Sequence, residues 1–198
     1  MTLRKWFHLF WTTMLVGALL GIAAGLVLKL TDQNYTILGL SAVGLNLLYM
    51  ALIGATISIV SQMGYFSFMI VRYFGMGMIR NARTWDLLQW ALIVITLFEL
   101  VFLRAINSEG DWLPFVPLPI ILLMVSLAVA YWKMNLTNAK GFLPTLFFMV
   151  VVTSLEAIPA LRENNPFGTF FMVLPLLGCN AWQILILPKV LGNNKSEP

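Results

Sequence analysis

GFLPTLFFMVVVTSLEAIPALR, residues 141–162, decides the fold class of this chain. As a helix these 22 residues would extend about 33 Å at 1.5 Å each, enough to cross a hydrocarbon core of about 30 Å. The run contains one interior charge, Glu156, and one helix-bending residue, Pro159. A carboxylate at the centre of a membrane helix costs about 2.5–3.5 kcal/mol on insertion scales. The helix is therefore expected to turn Glu156 away from lipid and towards other helices. Pro159 has no N–H to give the Leu155 carbonyl, which opens the backbone beside Glu156, as a hinge or as a fixed bend.

The rest of the 198 residues must supply the neighbouring helices. The chain is 60% hydrophobic and only 10% charged, with a mean hydropathy of +0.88. Soluble domains carry about 25% charged residues, so a water-soluble core is excluded and the chain is read as an integral membrane protein. A single cysteine, Cys179, rules out an internal disulfide, and a single histidine, His8, rules out a multi-histidine metal site. The net charge of +4 is spread over short loops and offers no clustered basic face for nucleic acid.

Six apolar runs stand out, at about 6–30, 37–61, 85–106, 114–133, 141–162 and 167–187. They predict an all-α polytopic bundle forming a single membrane domain over residues 1–198. The first run is too long for a signal-peptide core. Its Gly17, Gly21 and Gly25 form two overlapping GxxxG steps, which let another helix backbone approach closely. In the second run Ala51, Gly54, Ala55 and Ser58 form a further small-residue face. Pro114, Pro117 and Pro119 open the fourth run, where free N–H groups are expected in any case.

Residues 62–84 are harder to place, being apolar and aromatic but broken by Arg72 and by glycines. The charge count treats them as an interfacial segment on one side of the bilayer. With six spans, Arg4, Lys5, Arg72, Arg80, Arg83, Lys133, Lys140, Lys189 and Lys195 share one side, while Lys29, Arg104 and Arg162 share the other. The second side also holds Asp32, Glu109, Asp111 and Glu163. The positive-inside rule then places both termini in the cytoplasm, and a seventh span would weaken this asymmetry.

Two membrane carboxylates are candidates for chemistry. Glu99 and Glu156 each follow a threonine by three residues, Thr96 and Thr153, and precede an arginine by five or six, Arg104 and Arg162. They read either as a relay for protons or cations, or as buried acids held by those arginines or by neutralisation. Asn180 and Gln183 share a face of the sixth run and suit hydrogen bonding between helices. In the segment after the second run, Tyr65, Phe66, Phe68, Arg72, Tyr73 and Phe74, with four methionines, form an adaptable surface for anionic lipid or for a protein partner. No HExxH, GxxxxGK[ST] or Ser/His dyad is present, and the three aspartates are scattered. No catalytic residue, metal site or cofactor is expected.

Three stretches carry a family resemblance: SIVSQMGYFSFMIVRYFGMGMIR (58–80), PTLFFMVVVTSLEAIPALR (144–162) and PLLGCNAWQILIL (175–187). On these the chain resembles the KinB-signalling pathway activation proteins of spore-forming bacilli. The resemblance implies a multi-span protein of the bacterial cell membrane, without enzyme activity, that activates a membrane histidine kinase upstream of the sporulation phosphorelay. It supplies no catalytic residues and leaves Glu156, Arg162, Asn180 and Arg72 as structural or contact candidates. The competing class is a small proton- or cation-coupled transporter using Glu99 and Glu156. Against it stands the lack of the inverted repeats with paired broken helices that such transporters show.

Overall fold

In hydrocarbon every backbone N–H and C=O must be satisfied within the segment, and a single apolar run achieves this only as a helix. The computed structural model describes residues 3–31, 43–79, 81–106, 112–163 and 165–192, and among these it is all-α, without strands. The helices are α1 (Leu3–Thr31), α2 (Val43–Met78), α3 (Ala82–Ile106), α4 (Pro117–Leu136), α5 (Phe142–Phe147), α6 (Thr153–Arg162) and α7 (Pro166–Gly192). Short 3-10 turns, Leu113–Phe115 and Ala139–Gly141, lead into α4 and α5, and a π-helical stretch, Phe148–Val152, joins α5 to α6. Among the described residues six stretches are long and apolar enough to cross a membrane: Arg4–Thr31, Gly44–Met78, Ala82–Phe102, Leu113–Leu136, Ala139–Arg162 and Pro166–Lys189.

The chain divides into two compact units, one of Met1–Met63 with Pro159–Pro198 and one of Gly64–Ile158. In the first, α1 packs along α7. Leu20 of α1 fills the space beside Gly178, and the Cys179 thiol lies 3.8 Å from the Thr13 carbonyl oxygen, to which it donates. The same α1 meets α2 backbone to backbone. A methyl group on Gly17 would sit 2.6 Å from the Gly54 carbonyl oxygen, and one on Gly21 would sit 2.7 Å from the Gly54 Cα. Gly25 faces the Met50 side chain. Close approach of this kind matters because lipid tails are as apolar as leucine, so helices in a bilayer adhere through packing and polar contacts.

In the second unit α5 packs against α3 and α4, and the π-helical stretch touches both. Phe148, Met149 and Val150 of that stretch are fully buried. The Arg104 guanidinium lies 4.7 Å over the Phe115 ring, which ties the end of α3 to the turn that precedes α4. At the opposite end of α3 the Trp85 ring lies against Gly75 of α2, and the Ile79 N–H donates to the Gly75 carbonyl at 2.9 Å.

The second span departs from the expected boundaries. Rather than ending near residue 61 and giving way to a separate interfacial segment over 62–84, α2 continues as one 36-residue helix to Met78. No proline interrupts it, and Gly64, Gly75 and Gly77 weaken a helix without breaking it. At about 54 Å it is longer than a hydrocarbon core, so it must tilt or overhang. The expected start at 37–42, Arg80, the loop 107–111 and the tail with Lys195 lie outside the described residues. The last helix also runs further than its apolar stretch, carrying Pro175 and Pro188 within it.

The glycine crossing gives a direct test. Gly54→Leu would force a branched side chain into the α1 backbone and should lower stability in detergent by about 1–3 kcal/mol or more. Gly77→Leu, at a position with open space around it, should leave the thermal midpoint nearly unchanged. Equal midpoints for the two variants would contradict this crossing.

Candidate functional site

The fifth span, Ala139–Arg162, contains the least regular backbone of the second unit. A π-helical turn holds one residue more than an α-turn and shifts the face that the following residues present. One of its loosened carbonyls is satisfied twice: the Val150 oxygen accepts from the Thr153 N–H and, at 2.6 Å, from the Ser154 hydroxyl. Glu156 follows one turn later.

The Glu156 carboxyl rests on the backbone of α2 at Gly64. A Cβ built on Gly64 would collide with Glu156 Oε1, and would lie 2.7 Å from Glu156 Cδ and 3.0 Å from Val152 Cγ1. Glu156 Oε1 is buried. Gly64 thus makes the room that the carboxyl occupies. Sequence reasoning missed it, having treated the glycines after residue 61 as breaks; the clue was a lone glycine among large side chains, where another group approaches closely.

Beside this seat Tyr65 and Phe68 turn inwards. The Tyr65 ring meets Phe148 edge-on with centroids 5.4 Å apart, while Phe68 lies 5.0 Å from Phe148 and 6.1 Å from Phe147. Both residues are buried, so they form the support of α2 and not its outer surface. Phe66, Tyr73 and Phe74 stay exposed together with Arg72, Met63, Met69, Met76 and Met78. Helical geometry explains the split, because residues 65 and 68 share a face that 66, 73 and 74 do not. Lys133 is buried near the end of α4.

Glu99 stands elsewhere. It lies on the exposed side of α3, next in sequence to Phe98, whose ring stacks on that of Phe102 with centroids 5.2 Å apart. Thr153 is buried whereas Thr96 is only half-buried, so the shared Thr-x-x-Glu spacing corresponds to two different environments. Among the described residues no contact joins Glu99 to Glu156. Arg162 is exposed in the last turn of α6.

The first unit holds a closed polar knot. The Ser61 hydroxyl donates to Asn180 Oδ1 at 2.7 Å and accepts from Gln183 Nε2 at 2.6 Å. All three side chains are almost completely buried. This arrangement suits holding α2 to α7, since each group satisfies another in surroundings without water. Ser61 had not been singled out from sequence, because one serine in an apolar run looks like ordinary small-residue packing.

The seat of Glu156 predicts a specific coupling. Gly64→Ala alone should destabilise the protein by about 1–3 kcal/mol, and adding Glu156→Ala should recover much of that loss. Gly64→Ala with Glu156→Gln should stay destabilised, because glutamine occupies the same space. Thermal unfolding of these variants, of Glu156→Ala alone and of the unchanged protein in one detergent reads the cycle, and strictly additive effects would contradict the seat.

Comparison with known proteins bears on the whole of this architecture. A family model described as KbaA, KinB-signalling pathway activation in sporulation, matches residues 17–190. The KinB-signaling pathway activation protein of Bacillus subtilis (strain 168) is 35% identical over 185 residues, covering 91% of this chain and 93% of that protein. No solved structure matches. The match takes in all or part of every helix described above, with the Glu156 seat and the Ser61–Asn180–Gln183 knot inside it, and the chain belongs to the KbaA family of KinB-signalling pathway activation proteins.

Proposed function

We propose that this chain is a non-enzymatic, multi-pass protein of the bacterial cell membrane that activates a membrane histidine kinase of the KinB pathway, upstream of the sporulation phosphorelay. The observation that carries this reading is the family match over residues 17–190, on a chain of six membrane-length helices. The protein acts by contact, shifting the conformational equilibrium of the kinase. A coupling of about 1–3 kcal/mol changes such an equilibrium about 5- to 150-fold. The transporter alternative loses support from the placement of Glu99, since an outward carboxylate does not line a path shared with Glu156.

Both termini lie in the cytoplasm in this reading, on the strength of the cation asymmetry. Reporter fusions within residues 135–140 should then report cytoplasm, and fusions within 107–112 the outside. The opposite pattern would overturn the orientation.

The uncovered end of α2 is the contact surface towards the cytoplasmic side in this reading, with Arg72, Tyr73 and Phe74 flanked by methionines that adapt to a partner. Tyr73→Ala with Phe74→Ala should abolish kinase output and delay sporulation while the protein accumulates and melts normally. Phe68→Ala should act differently, lowering stability by about 3–5 kcal/mol, because that ring is buried on Phe148. Normal sporulation and kinase output in the Tyr73/Phe74 variant would exclude this surface.

A further inference from the structure

A carboxylate facing outwards from a membrane helix demands an explanation that apolar residues do not. Glu99 lies within the apolar span Ala82–Phe102, on its exposed side, and among the described residues nothing pairs with it. Its helix is also the least covered of the six spans. Leu88, Leu92, Ile95, Glu99 and Phe102 are all exposed and follow one another at intervals of four and three, the seam spacing by which one helix packs along another. Lipid tails can cover the four apolar members of this seam, but they give the carboxylate neither a hydrogen bond nor a counter-charge.

We infer that the α3 seam around Glu99 docks a transmembrane helix of a partner protein, one that presents a lysine, arginine, histidine or amide donor at the level of Glu99. Charge complementarity selects this occupant. A second copy of the chain packed on the same seam would set two acidic side chains against each other, whereas a helix bearing a cation or a donor satisfies Glu99 directly. Lipid tails alone would leave the carboxylate unsatisfied. The inference rests on the reading of the protein as a contact activator and deepens it: the partner helix belongs to the kinase, and Glu99 sets its register within the bilayer. Glu99 is in this view a positioning residue for the complex, and Glu156, seated on Gly64, serves the interior of the chain itself.

The test uses the full-length protein in sporulating cells, with a photo-crosslinking phenylalanine analogue at Ile95 and, as a control, at Leu19, an exposed position on α1. The Ile95 probe should form an adduct with the kinase and the Leu19 probe should not. Glu99→Leu should cut the Ile95 adduct about 5- to 30-fold, the worth of one polar contact between membrane helices, without lowering protein level or thermal midpoint. An Ile95 adduct with a second copy of this chain, equal adducts from both probes, or an adduct indifferent to Glu99→Leu would each overturn the inference. A deletion strain separates this outcome from the broader reading. Normal kinase output without the protein would remove the activator function itself. Output that is lost on deletion but fully restored by Glu99→Leu would remove only the α3 seam.

Discussion

Close backbone approach at glycine is the constraint on which this structure depends. In water, burial of apolar surface would hold the helices together; in a bilayer that drive is nearly absent, and what remains is dispersion at short range together with a few polar contacts. Gly17 and Gly21 let α1 reach the backbone of α2 at Gly54. In the other unit Gly64 performs a different task on the same helix, clearing the space that the Glu156 carboxyl fills. A Cβ at any of these positions would fall within 3 Å of a neighbouring heavy atom, so the crossings tolerate no side chain without a shift.

Once the helices are close, their polar groups differ in how they are enclosed. Ser61, Asn180 and Gln183 satisfy one another and are sealed from lipid, as is the Val150 carbonyl that the π-helical turn would otherwise leave short of partners. Glu99 has no such enclosure. The contrast separates groups that hold this chain together from Glu99, which faces outwards from α3. Under the contact mechanism proposed above, the end of α2 and the seam of α3 are the outward-facing surfaces that a partner would meet.

Much of the architecture was legible from the residues alone. Length and hydropathy determined six spans and an all-α class, because a run of about 20 apolar residues has few other folds open to it. The spacing of Gly17, Gly21 and Gly25 marked α1 as a close-packing helix, and three stretches carried the family. What sequence could not determine was which side of each helix faces a neighbour. A helix apolar all round has no polar stripe to orient it, so inward and outward residues look alike until the neighbours are in place. The tertiary structure therefore decided that Tyr65 and Phe68 support the core while Tyr73 and Phe74 remain outside, and that Glu156 turns to Gly64 while Glu99 turns away. It also decided the continuity of α2 through residue 61 and the π-helical turn at Phe148–Val152. The π-helical turn depends on packing against other helices, of which local composition carries no record, whereas α2 continues because no proline interrupts it.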